Sequence, residues 1–221
     1  MNLHSPLRAP LHLLAGAALF AVIGVAGDPL SPAHAQEEAA SPIALGTAIP
    51  MADAKLKNVD GKELAIADVK GKKGTLVVFT CNHCPWAKAW ETRIVDLGNK
   101  FSTKGVGVIA INANDPEAYP EDDFAGTQER AKQRGMKYPY VIDETSDVAR
   151  AFGASRTPEA FVFDAGGKLV YHGAIDDNSR EPDKVSARYL NDALVAVSSG
   201  KKVAVAETKA MGCSIKYRKK A

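Results

Sequence analysis

Two cysteines separated by two residues, Cys81 and Cys84, stand in the run Cys81-Asn82-His83-Cys84-Pro85. At the start of a helix this spacing lets the sulfurs close into a small ring, and the unsatisfied N–H groups of a helix N-terminus favour thiolate over thiol. The sulfur nearest those N–H groups should have a depressed pKa, in the ~3.5 to 7.5 range of such positions, and act as the nucleophile. His83, when protonated, adds positive charge beside the pair, which favours the reduced form and makes the couple more oxidising. Asn82 completes the loop between the sulfurs, and Pro85 fits a first helical turn, where no N–H is missed.

Other uses of the same residues are weaker. A structural disulfide across two residues constrains little chain and stabilises little. Cys81, His83, Cys84 and Cys213 are soft ligands that a copper or zinc carrier would use, but tetrahedral sites rarely draw adjacent ligands from so tight a turn. No cofactor or resident metal is therefore expected. Haem attachment is excluded, because Pro85 stands where that motif needs histidine. The third cysteine, Cys213, lies in Met211-Gly212-Cys213-Ser214-Ile215-Lys216 near the C-terminus. Its small neighbours describe a mobile tail that could bring a resolving thiol to the pair, and an unpaired thiol has equal standing.

The elements that must hold the pair read clearly on both sides of it. Leu76-Val77-Val78-Phe79 is a short β-branched run suited to a strand buried on both faces. Trp90, Ile94, Leu97 and Phe101 recur at helical spacing, which predicts a helix over 85–101, and Val106 to Ile111 predicts a second buried strand. Strand, helix and strand form a right-handed crossover, placing the cysteines where a strand's C-terminal end meets a helix. Further on, the pattern predicts a helix over 124–134 closed by Gly135, a strand over 140–142 and a small helix capped by Thr145 or Ser146 and ending at Gly153. It then predicts a hairpin of 160–163 with 168–171, and a last helix opened by Pro182. Lys55 to Val59 and Glu63 to Ile66 flank Asp60-Gly61 and predict an N-terminal hairpin. His172 falls on a hairpin strand and reads as a surface imidazole. Thr157-Pro158 precedes a buried strand, so the proline marks an edge of pairing or a cis bond; spacing alone favours trans.

At the N-terminus, Arg8, an apolar run from Leu11 to Ala26 and Ala33-His34-Ala35 read as an export signal over 1–35, cleaved before Gln36. The apolar run falls short of about 18 uninterrupted residues, so a spanning anchor is the weaker reading. Residues 36–47 read as a flexible lead-in, 48–198 as one domain and 199–221 as the tail carrying Cys213. The net charge of +2 is too small for a basic nucleic-acid face. An exported, periplasmic or secreted protein, free of the membrane after cleavage, follows from these features.

Asp60-Gly61-Lys62, the apolar strand ending in Phe79-Thr80, the Cys81 to Pro85 motif, Thr157-Pro158-Glu159 and the hairpin after it together resemble the redoxin branch of the thioredoxin superfamily, the alkyl hydroperoxide reductase/thiol-specific antioxidant family. The resemblance spans 49–197. It implies an α/β thioredoxin-like fold, a central mixed sheet flanked by helices, with Pro158 cis and Thr157 and Pro158 forming a substrate groove. It implies thiol-disulfide exchange with a protein disulfide and a reducing partner protein, Cys81 attacking and Cys84 resolving. The alternative is a thiol peroxidase in which Cys84 attacks peroxide, Cys81 or Cys213 resolves and Arg156 polarises the peroxide. Thr80 precedes Cys81 where thioredoxins have tryptophan, and the strand 76–79 lacks the buried carboxylate that serves thioredoxins as proton acceptor.

Overall fold

The computed structural model describes residues 41–219. The export signal and most of the lead-in expected from the sequence lie outside the described residues. Among the described residues, nine strands run β1 (Leu56–Asn58), β2 (Glu63–Leu64), β3 (Gly74–Phe79), β4 (Val106–Asn112), β5 (Tyr140–Ile142), β6 (Arg156–Thr157), β7 (Glu159–Asp164), β8 (Leu169–Gly173) and β9 (Cys213–Ser214). Between them lie helices α1 (Pro85–Ser102), α2 (Phe124–Arg134), α3 (Asp147–Phe152) and α4 (Tyr189–Ser198).

The main sheet has seven strands in the order β2-β1-β5-β4-β3-β7-β8. The three central strands β5, β4 and β3 are parallel, while β1, β7 and β8 extend the sheet through antiparallel pairing. This is the mixed sheet of the expected thioredoxin-like fold. Every residue of β3 is buried, and its side chains alternate between two cores as the strand period requires. Leu76 and Val78 join Trp90, Ile94 and Phe101 of α1 and Leu190, Leu194 and Val197 of α4. Val77 and Phe79 face Val148, Ala149 and Phe152 of α3 on the opposite side. A strand sandwiched this way cannot slip register without exchanging its two core faces. The C-terminal end of β3, where the cysteines begin, is thereby fixed.

Helix α2 occupies the predicted span because its punctuation is explicit. Asp123 caps it by accepting from Gly126 N–H, and Gly135 closes it at φ 63°, in the left-handed region. Of the two residues expected to cap α3, Thr145 accepts from Asp147 N–H through its hydroxyl at 3.3 Å, while Ser146 precedes the helix with φ 58° and makes no side-chain cap. Its hydroxyl instead donates to the Ala113 carbonyl, and Asp143 accepts from Ala149 N–H within the first turn of α3.

Two expectations are corrected. Pro182 opens only a short 3-10 turn, Pro182–Lys184, and the last helix starts at Tyr189. The tail is not a free end: β9 pairs with β6 and Ile215 packs into the core beside α3. Among the described residues, no helix is long and apolar enough to cross a membrane.

Phe152 is fully buried, with its ring edge-on to Phe79, Phe161 and Phe163. Phe152→Ala should destabilise the protein by about 3–5 kcal/mol, the usual cost of truncating a buried aromatic ring. Urea unfolding measures this; a loss under about 1 kcal/mol would show that α3 contributes little to holding β3.

Candidate active site

Cys84 is the N-cap of α1 and Pro85 its first residue, so the pair sits where the helix dipole converges, as its spacing predicts. Both sulfurs are nonetheless buried, Cys84 completely. The Thr157-Pro158 bond is cis, and Thr157 contacts both members of the pair. The Cys81 sulfur lies 3.2 Å from Thr157 Oγ1 and the Cys84 sulfur 3.3 Å from the Thr157 carbonyl oxygen. Cys213 pairs with Thr157 across β9 and β6 and packs against the two sulfurs. All three cysteines are free thiols, and Cys84 lies between the other two.

The sulfurs share their protons unequally. A hydrogen bond from Cys81 pulls the Cys84 thiol down to about 4, assisted by the Cys213 side chain and by Ala87 and Cys213 N–H against the opposing cost of burial. The same hydrogen bond, burial and the charge of Asp122 hold Cys81 well above the ordinary thiol range. Burial and the neighbouring Cys84 raise Cys213 to about 11. The resting arrangement is one thiolate, centred on Cys84, cradled by two thiols.

Asp122 was not singled out in the sequence. It is fully buried, arriving from the loop between β4 and α2. Its carboxylate accepts from Asn82 N–H at 2.6 Å and Asn114 Nδ2 at 2.8 Å, and meets His83 Nδ1 at 2.5 Å. Cys81 Sγ, a His83 ring nitrogen and an Asp122 oxygen lie within 4.8 Å of one another. This trio is close enough for a cation, yet Asp122 already spends both oxygens on hydrogen bonds. A buried carboxylate thus stands beside the pair, supplied by a neighbouring loop and not by β3.

Each remaining residue expected at the site has a definite place. The His83 ring stacks on Tyr119 at 3.6 Å. Asn82 is a structural anchor: its side chain donates to the Glu121 carbonyl and Thr127 and accepts from the Tyr140 hydroxyl. Arg156 is directed to the tail, where its guanidinium donates to the Gly212 carbonyl at 3.5 Å. His172 is buried rather than on the surface, and its Nε2 meets Glu159 at 2.6 Å. The other Glu159 oxygen accepts from Ser155 and Arg156 N–H, so this buried pair holds the segment leading into Thr157.

Fold and site together define a thioredoxin-like protein with a two-cysteine centre. The chain belongs to the AhpC/TSA family, whose profile matches residues 46–172. Among solved structures it is similar to an uncharacterized conserved protein from Geobacillus kaustophilus, with 38% identity and a TM-score of 0.74 over 80% of this chain and 94% of that one. A hypothetical protein from Sinorhizobium meliloti is 32% identical, with a TM-score of 0.75 over 82% and 98% of the two chains. Thiol-disulfide oxidoreductase ResA of Bacillus anthracis is 29% identical over 113 residues, which cover 51% of this chain and 61% of that relative.

Cys84 thiolate should persist on acidification until about pH 4 and be lost below it. Removing its principal donor with Cys81→Ala should raise that midpoint by at least about one unit. Ultraviolet thiolate absorbance against pH reads both values, and an unchanged midpoint would mean that Cys81 does not hold the charge.

Proposed function

We propose that this protein is an exported thiol-disulfide oxidoreductase acting on protein disulfides through Cys81 and Cys84. The observation that carries the reading is the contact of Thr157, on the N-terminal side of the cis bond, with both sulfurs of a pair at the mouth of α1. The similarity to ResA, a thiol-disulfide oxidoreductase by name, supports it.

Cys81 attacks the partner disulfide. It is held as a thiol and needs a base; the His83–Asp122 pair stands beside it to receive the proton. The attack forms a bond between Cys81 and one partner sulfur and releases the other as thiolate. Cys84, still facing the Ala87 and Cys213 donors after the Cys81 proton is gone, then attacks Cys81 Sγ as thiolate, closes the intramolecular disulfide and frees the second partner sulfur, which takes up the proton held by the His83–Asp122 pair. The cycle oxidises the pair by two electrons and reduces the partner. A separate reducing protein restores the dithiol.

Cys81→Ser should abolish reduction of a protein disulfide, and Cys84→Ser should accumulate a mixed disulfide on Cys81, identified by mass spectrometry. Undiminished turnover by Cys81→Ser would overturn the assignment. Sulfenic acid at Cys84 formed by limiting peroxide far faster than on a free thiol would favour the peroxidase reading instead.

A further inference from the structure

The edge of Thr157 that an incoming peptide would use is already occupied by the protein's own C-terminal strand. Thr157 pairs with Cys213 and Arg156 with Ser214 in antiparallel register. The following residues fasten the strand in place. Ile215 N–H donates to the Ser155 carbonyl at 2.9 Å, Lys216 N–H to Asn114 at 2.8 Å, and Arg218 N–H to Ser146 at 2.9 Å, while the Tyr217 hydroxyl donates to the Ala154 carbonyl. Gly212 makes this seat possible: a Cβ there would lie 2.1 Å from the Thr157 carbonyl oxygen. The strand also delivers its side chain to the catalytic pair, with Cys213 packed against the cluster of Cys81, Cys84 and Ala87.

We propose that the segment 212–218 is a built-in substrate strand, and that Cys84 exchanges its disulfide partner between Cys81 and Cys213. The inference rests on the thiol-disulfide reading above and adds a second oxidised form to it. Starting from the Cys81–Cys84 disulfide, Cys213 as thiolate attacks Cys84 Sγ. The Cys84–Cys213 bond forms, the Cys81–Cys84 bond breaks, and Cys81 leaves as thiolate and takes up the proton that Cys213 gave up. No electrons are gained or lost, so no further oxidant is needed.

Two consequences follow for partners. A protein substrate must present an extended cysteine-bearing segment and displace the tail strand from Thr157, because strand addition at an edge admits one occupant. The Cys84–Cys213 form fastens the tail covalently and excludes that partner, whereas the Cys81–Cys84 form leaves it held only by non-covalent contacts. The tail thereby sets which oxidised form accepts a polypeptide.

The test has two arms, neither of which depends on turnover. In the first, Cys81→Ser is oxidised with glutathione disulfide and its bonds are mapped by mass spectrometry. An intramolecular Cys84–Cys213 disulfide is expected as the main product; glutathione adducts alone would overturn the exchange. In the second, alkylation of Cys84 by iodoacetamide is followed in reduced wild type and in Gly212→Val, with melting curves as the folding control. Unseating the strand should accelerate alkylation by about tenfold or more, because the barrier to local opening is removed. A folded Gly212→Val with wild-type alkylation would overturn the role of the strand. Failure of the wild type to reduce protein disulfides contradicts the proposed function and leaves both of these readouts unaltered.

Discussion

Thr157 is the residue through which the rest of the site is organised. Its hydroxyl and carbonyl oxygens meet Cys81 and Cys84, and its backbone pairs with Cys213. Its own position is set from behind by the buried Glu159–His172 pair, which binds the N–H groups of Ser155 and Arg156, and by β7, whose antiparallel register against β3 puts Glu159 opposite Phe79. The two core faces of β3 therefore act on the chemistry directly. They lock the strand that leads into Cys81 and, through β7, the residue that faces it.

Electrostatics divides the labour among three identical side chains. Cys84 takes the negative charge because Cys81, Cys213 and the Ala87 amide of the first helical turn all donate to it. Cys81 keeps its proton under the combined influence of that thiolate, burial and Asp122. These donors offset the cost of burying the Cys84 charge.

The sequence made the scaffold legible wherever local chemistry decides it. The alternation of β3, the 3.6 period of Trp90, Ile94 and Phe101, and the Asp123 and Gly135 boundaries of α2 each report a short-range constraint. Cys81, Cys84 and Pro85 were legible for the same reason. Asp122 was not, since it sits in an acidic run, Glu121-Asp122-Asp123, that reads as solvated surface. A topological signal was present: β3 and β4 are parallel neighbours, so the loops leaving their C-terminal ends share one edge of the sheet. His172 looked exposed because its partner Glu159 lies on the other strand of the hairpin. The tail looked mobile because its order comes from pairing with residues far away in the chain, and only the small side chain of Gly212 hinted at a close approach. Of the two candidate caps of α3, Thr145 bonds Asp147 N–H, whereas the Ser146 hydroxyl is used by the Ala113 carbonyl and the tail.

In the proposed exchange, three thiols form one set with Cys84 as the shared member. Because the two disulfides interconvert without net electron transfer, their ratio must be independent of the surrounding potential. The direct measurement is quantitative disulfide mapping of the wild-type protein equilibrated across a series of glutathione redox buffers. Total oxidised protein should rise with the potential while the ratio of Cys84–Cys213 to Cys81–Cys84 stays constant. A ratio that changes along the series, or the complete absence of Cys84–Cys213, would contradict the exchange.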